Sequence, residues 1–281
     1  MNFKNLDKPY LIGEIGINHN GDEQIAKKLI DAAFSTSWDC VKFQKRNPDV
    51  AVPDHQKKVM RDTPWGRMTY LEYKYKIEFG KKEFDYFDKY CAEKPIDWTA
   101  SVWDLDSLNF LLDYKVPFIK IPSAHLTNDN VLIETAKSGV SIIASTGMST
   151  LKEVDHAVNL LEKHSKSYSI MHTNSSYPSK IEDLNLSLIP FFIKRYGCPV
   201  GYSGHEFGLT PTVMAVSLGA KIIERHITID RNMWGTDQSS SVEIEGMDSL
   251  YKRIREIDLM MGKPKKLVTD AELPIREKLR G

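Results

Sequence analysis

Short apolar runs separated by amphipathic helical stretches recur along the whole chain, and this alternation restricts the fold more than any other feature. The runs are Tyr10–Gly16, Cys40–Gln44, Trp98–Val102, Phe118–Ile121, Ser141–Ser145, Ser169–His172, Pro199–Tyr202 and Ile222–His226. After the first run, Ile25, Ala26, Leu29, Ile30 and Ala33 repeat at helical spacing, with Lys27, Lys28 and Asp31 on the opposite face. Thr150-Leu-Lys-Glu153 reads as a capping box opening a helix striped by Val154, Ala157, Val158 and Leu161. A last helix, near Met247–Met261, follows the eighth run. Strands joined by helical crossovers pair in parallel. Eight such units predict an α/β chain closed into a single (β/α)8 TIM barrel. The runner-up is a doubly wound open sheet, but no Gly-rich dinucleotide fingerprint follows the first strand.

A barrel of about 250 residues would use nearly all of the 281 present, so one catalytic domain is expected over 1–281. One connection is unusually long. It runs over 45–79 after the second strand and contains Asp62-Thr-Pro-Trp-Gly-Arg67; a segment of that length predicts a functional loop or lid. Residues 263–281 read as a short tail. The 38 basic side chains cancel the 38 acidic ones, which argues against nucleic acid or an anionic membrane surface as partner. No apolar run reaches the roughly 20 residues of a membrane span, and the N-terminus lacks a signal-peptide core. Cys40, Cys91 and Cys198 are odd in number and lack metal-type spacing. They read as buried thiols of a cytoplasmic protein.

Polar residues fall at the C-terminal ends of these apolar runs, where barrel enzymes build their sites. Glu14, Lys42, Gln44, Lys120, Ser123, Ser145, His172, Ser175, Tyr177, Ser203, His205, Glu224 and His226 all occupy such positions. Each has a structural explanation by itself. Lys42, between Val41 and Phe43, could face outward; Glu14 or Glu224 could simply satisfy a neighbouring cation; His172 could be a hydrogen-bonded core residue. Together they are harder to dismiss, because an unpaired charge inside a barrel costs several kcal/mol, on the order of 3–5. Ser123, Ser145, Ser203 and Lys120 offer a cradle for a phosphate or carboxylate. His205 and His226 could give two imidazoles to one divalent ion, with positions left open for water and substrate. With no cysteine nearby, that ion is expected to be Mn²⁺, Mg²⁺ or Co²⁺.

Seven blocks in order carry a resemblance: Glu14-Ile-Gly-Ile-Asn-His-Asn-Gly21, Val41-Lys-Phe-Gln44, Ile119-Lys-Ile-Pro-Ser123, Ser145-Thr-Gly-Met148, His172 through Ser175-Ser-Tyr-Pro178, Gly201-Tyr-Ser-Gly-His205 and Glu224-Arg-His-Ile-Thr228. From about residue 8 to 262 the chain resembles the N-acetylneuraminate (sialic acid) synthase family, with its legionaminic and pseudaminic acid relatives. The resemblance implies a (β/α)8 barrel that condenses phosphoenolpyruvate with N-acetylmannosamine or another acylated amino sugar, using Mn²⁺ or a similar ion. It assigns the metal to His205 and His226. Phosphoenolpyruvate falls to Lys42, Lys120, Ser123, Ser145 and Ser203, and sugar hydroxyls to Glu14. Gln44, Tyr177 and Asp237 line the remainder of the site.

Three departures accompany it. His125 stands where the family commonly has a glutamate implicated in proton transfer. Ser175 occupies a position usually held by Asn or Ser. Many members continue into a small antifreeze-protein-like domain, which would begin near Glu277–Gly281. Either the sequence is a piece trimmed before that domain, or it is a short form, with the loop around Trp65 and Arg67 as the candidate for completing sugar recognition. A homodimer is compatible with this reading. Two other functions fit the residues: a Schiff-base aldolase or lyase using Lys120 or Lys42, and a non-catalytic sugar- or phosphate-binding barrel.

Overall fold

The computed structural model describes residues 1–280, and its element order reproduces the predicted alternation. The elements are β1 (Tyr10–Gly16), α1 (Glu23–Ser35), β2 (Cys40–Lys45), α2 (Pro48–Ala51), α3 (Asp54–Lys57), β3 (Met60–Thr63), β4 (Gly66–Thr69), α4 (Tyr70–Ile77) and α5 (Lys81–Glu93). They continue through β5 (Asp97–Val102), α6 (Leu105–Leu111), β6 (Ile119–Ile121), α7 (Asp129–Lys137), β7 (Ile142–Ser145), α8 (Leu151–His164), β8 (Tyr168–Thr173) and α9 (Leu188–Tyr196). The last are β9 (Val200–Gly204), α10 (Thr210–Ser217), β10 (Ile222–His226), α11 (Ile244–Met261) and α12 (Leu273–Arg280). Eight parallel strands close in the order β1-β10-β9-β8-β7-β6-β5-β2. The capping box forms as read: Thr150 accepts from the Glu153 N–H, and Glu153 reaches back to the Thr150 N–H.

Two segments are more ordered than expected. The excursion over 45–79 is not a bare loop, because it holds α2, α3, the antiparallel β3–β4 hairpin and α4. A two-stranded hairpin is marginal by itself. Here Trp65, at its turn, packs edge-on against Trp234 at 5.8 Å between ring centres. The tail likewise contains a helix, the fully exposed α12.

Two hydrophobic cores organise the barrel. The larger lies between strands and helices; in it Phe43 stacks on Phe87 at 4.8 Å, and Phe84 and Trp98 close around them. The smaller fills the lower barrel interior with Tyr10, Ile12, Cys40, Phe118, Ile143, Met171 and Ile222, sealed from below by Phe3. Side chains on one face of a strand recur every second residue, so the next inward positions can be read directly. They are Glu14 after Ile12, Lys42 after Cys40, Lys120 after Phe118, Ser145 after Ile143, Thr173 after Met171 and Glu224 after Ile222. One step of two residues turns an apolar floor into a polar chamber. All three cysteines are buried and free.

Outward-facing residues of the last strands fix the loops above them. Arg225, 1% exposed, pairs with Glu206 at 3.0 Å and donates to the Glu206 and Gly208 carbonyls. Tyr202 and Thr212 add hydrogen bonds to the Glu206 carboxylate. Breaking such a pair strands a buried charge, so Arg225→Met is expected to cost about 3–5 kcal/mol in urea unfolding. The Glu206→Gln, Arg225→Met double variant should recover part of that loss.

Candidate active site

Four charges cross the polar chamber. Lys42 Nζ lies 2.5 Å from Glu14 and 3.6 Å from Glu224, and Lys120 Nζ donates to both Glu224 oxygens at 2.9 and 2.8 Å. None of the four side chains is more than a few per cent exposed. Two ammonium groups and two carboxylates sum to zero, which makes burial tolerable. Burial opposes ionisation of Glu224, yet Lys120 and Lys42 outweigh it and hold the carboxyl at about 2. Burial likewise works against the Lys42 charge, but Glu14 and Glu224 raise its pKa above the ordinary value. For Lys120 burial prevails despite Glu224, and Lys42 adds to the downward shift.

Gly16 makes room for the quartet's edge. The β1–β2 register shifts between Glu14 and Gly16, and Gly16 sits at φ +54°. A Cβ there would lie 3.2 Å from Glu14 Oε1, 3.3 Å from Gln44 Nε2 and 3.3 Å from His226 Cε1. Glycine is required both by the left-handed backbone and by crowding. Beside it, Gln44 Nε2 donates to Glu14 at 3.2 Å.

Hydroxyls occupy the opposite wall. Ser123 Oγ accepts from the Gly147 N–H at 3.1 Å, and a Cβ at Gly147 would lie 2.8 Å from that oxygen and collide with Ser175. Thr173 donates to Ser145 at 3.5 Å, and Ser203 donates to Glu224 at 3.3 Å. These short polar side chains present donors without adding charge.

Two imidazoles stand at the end of β9 and β10. The rings of His205 and His226 are 5.3 Å apart, and Tyr177 packs on them at 4.0 and 5.6 Å. His205 Nδ1 is 2.6 Å from the Asn174 carbonyl, which can only accept. That nitrogen is therefore protonated, and Nε2 keeps a free lone pair. His226 Nδ1 is buried without a hydrogen-bond partner, 3.7 Å from Asp237 Oδ2. Burial, with His226 next, lowers the His205 pKa to about 3. Among the described residues no group of three or more His, Cys, Asp or Glu forms a metal cage. The donor set nevertheless fits a divalent ion held by two imidazoles, with its remaining positions open.

Twelve of the thirteen strand-end residues singled out from sequence line one pocket of about 290 Å³: Glu14, Lys42, Gln44, Lys120, Ser123, Ser145, Ser175, Tyr177, Ser203, His205, Glu224 and His226. Asp237 lies just outside its walls beside His226. His125 also lies outside, edge-on to Trp103 at 5.6 Å, its pKa lowered by burial. Trp103, Ser101, Met148 and Thr173 line the pocket as well. Ser101 and Thr173 were recoverable from strand alternation, whereas Trp103 and Met148 carried no signal. Glu224, read from sequence only as a charge awaiting a partner, is the centre of the quartet. His172 faces the helices and hydrogen-bonds the Leu184 carbonyl at 2.6 Å, a structural role. A roomier cleft of about 730 Å³ opens next door around Met148, Phe191 and Phe192, but no charged side chains converge in it. Arg67 is exposed on the hairpin.

The quartet also sets an acid limit. A carboxyl whose folded pKa is depressed contributes stability that is complete above its unfolded value, 4.5, and lost as pH falls toward 2. Urea midpoints followed downward through that window should decline, and Glu224→Gln should flatten the decline.

A sequence profile described as the NeuB family matches residues 29–266. The chain is 34% identical over 275 residues to human N-acetylneuraminate-9-phosphate synthase, covering 96% of this chain and 76% of that protein. It is 32% identical over 278 residues to N,N'-diacetyllegionaminic acid synthase of Legionella pneumophila, covering 96% and 78% respectively. The crystal structure of N-acetylneuraminic acid (sialic acid) synthetase from Leptospira borgpetersenii, in complex with citrate, superposes with a TM-score of 0.85 at 31% identity, over 98% of this chain and 93% of that one. A truncated 3-deoxy-D-arabino-heptulosonate 7-phosphate synthase from Thermotoga maritima has a TM-score of 0.71 at 12% identity, over 92% of this chain and 88% of that one, a likeness of fold. With the profile spanning most of the chain and a relative 34% identical along 96% of it, the protein belongs to the NeuB family of sialic-acid-type synthases.

Proposed function

We propose that the chain condenses phosphoenolpyruvate with an acylated amino sugar to give a nine-carbon sialic-acid-type sugar acid and inorganic phosphate. The observation that carries this reading is the joining, in one chamber, of a hydroxyl-lined wall, two lysines and two imidazoles with free nitrogens. Relatives named for sialic, legionaminic and pseudaminic acids support the class of reaction.

Ser123, Ser145, Ser175 and Ser203 would hold the phosphate and carboxylate of phosphoenolpyruvate by hydrogen bonding. Each lysine ammonium has three donors, so Lys42 and Lys120 can keep their carboxylate partners and still reach the anion. Glu14 and Gln44 would accept and donate to sugar hydroxyls, and Tyr177 would pack against the reacting carbons. A divalent cation held by His205 and His226, Mn²⁺ being the first choice, would supply Lewis acidity toward a carbonyl oxygen. The methylene carbon of phosphoenolpyruvate forms the new C–C bond to the aldehyde carbon. Water adds to the former enol carbon, whose bond to the phosphate-bearing oxygen then breaks, and phosphate leaves with that oxygen. The main contribution of the chain is the mutual orientation of two substrates. His125, at the rim beside Trp103, would bear on proton exchange with solvent.

Phosphate release from phosphoenolpyruvate plus a panel of acylated amino sugars should stop on chelation and return with Mn²⁺. Bridging-¹⁸O phosphoenolpyruvate should pass its label to phosphate; label retained in the sugar acid would overturn C–O cleavage. Calorimetry should find that His205→Ala or His226→Ala weakens Mn²⁺ binding by roughly 100-fold or more, beyond the loss of an outer-shell partner. Borohydride with pyruvate should leave Lys120 unlabelled, and a reduced adduct there would favour the Schiff-base alternative.

A further inference from the structure

The turn after β1 is tied to the segment that carries Asp237. Asn18 is 1% exposed, and both hydrogens of its side-chain amide are used. One goes to the Ile227 carbonyl at 2.9 Å, the other to Ser241 Oγ at 2.8 Å. Ser241 in turn donates to the Asp237 carbonyl at 2.6 Å. A second tie runs in parallel. Gln238 Nε2 donates to the Asn18 carbonyl at 3.0 Å, and Gln238 Oε1 accepts from the Thr228 hydroxyl. Thr228, Gln238 and Ser241 are buried like Asn18. The backbone closes the ring, with the Val242 N–H donating to the His226 carbonyl at 2.7 Å. Asn18 therefore grips the residue that follows His226 and, through one hydroxyl, Asp237.

Loop anchoring alone does not account for this arrangement. Buried polar side chains cost stability unless fully bonded, and here Asn18 Oδ1 and Ser240 Oγ are buried without partners. An apolar plug would hold a loop at less cost. What the polar ties add is direction, since each fixes the backbone of a particular residue within hydrogen-bonding tolerance. The group they aim is the Asp237 carboxylate. Thr236 donates to its Oδ1 at 2.7 Å, and its Oδ2 faces His226 Nδ1 at 3.7 Å. A carboxylate oxygen there favours the hydrogen on Nδ1 and leaves Nε2 with the lone pair. That lone pair is what a metal ion requires of a ligating imidazole.

We infer that Asn18 is a positioning residue: through Ser241 it holds Asp237 opposite His226, so that the imidazole presents Nε2 to a divalent cation. This rests on the metal role given to His226 above and adds a residue that touches neither cation nor substrate. Asn18 acts only through Asp237.

The test is Mn²⁺ calorimetry on the full chain without substrates, followed by phosphate release from phosphoenolpyruvate with acylated amino sugars. Asp237→Asn and Asn18→Ala should each weaken Mn²⁺ binding by roughly 10- to 100-fold, as for outer partners of a ligating histidine. The double variant should bind no worse than Asp237→Asn alone, because the two lie on one path. Should Asn18→Ala fail to fold, Ser241→Ala breaks the same link and should show the same dependence on Asp237. Ser241→Thr, which keeps the hydroxyl, should retain most of the affinity. Thr212→Val, in the Glu206 cluster, is the control for lost stability: it should lower the urea midpoint and leave Mn²⁺ affinity unchanged. A Mn²⁺ loss there equal to that of Asn18→Ala would overturn the inference. So would an Asn18→Ala protein with a lowered urea midpoint and unaltered Mn²⁺ affinity, or single losses that multiply in the double variant; the synthase would still stand. The expected pattern of Mn²⁺ losses in a chain that releases no phosphate with any of these sugars would uphold the positioning role and sink the synthase reading. Absence of Mn²⁺ binding to the unaltered chain would overturn the inference together with the metal role of His226.

Discussion

Everything in the upper barrel depends on charges that neutralise one another out of contact with water. Glu14, Lys42, Glu224 and Lys120 come from four strands, and no two belong to the same local segment. Glu14 and Lys42 face each other on paired strands, but the contacts of Lys42 and Lys120 with Glu224 join strands that are not neighbours, and closure would be penalised severely if any one of the four were missing its partner. The quartet thus does two things at once. It ties β1, β2, β6 and β10 together across the lumen, and it keeps two ammonium groups oriented inward.

The quartet also explains the serines. With the lysine charges already matched, a further anion cannot rely on excess positive charge. It needs directed donors, and Ser123, Ser145, Ser175 and Ser203 are small enough to provide them without crowding. Gly147 and Gly16 belong to the same economy of space, since a methyl group at either would press on polar atoms of the site.

Most of this was legible in the sequence because strand geometry is rigid. All eight barrel strands lie where the apolar runs stand, with ends shifted by no more than two residues. The inward set follows from period-two alternation, which also marks Ser101 and Thr173. What alternation cannot tell is which of two faces is inside, and so Lys42 between Val41 and Phe43 was ambiguous until the barrel closed. Nor can it pair charges across a lumen, which is why Glu224 looked incidental. The excursion was legible only as a length. Its hairpin is too short to carry a pattern, and it is held by Trp65 against Trp234, a contact between segments far apart in the chain.

Phe3 and the aromatic and aliphatic side chains packed with it are buried beneath the polar chamber. The chamber thus has an apolar floor. With such a floor, a small three-carbon acid held by the hydroxyls in the proposed way would have to enter before a larger sugar settled above it. Phosphate formed beneath that sugar would then leave upward, past whatever still occupied the mouth.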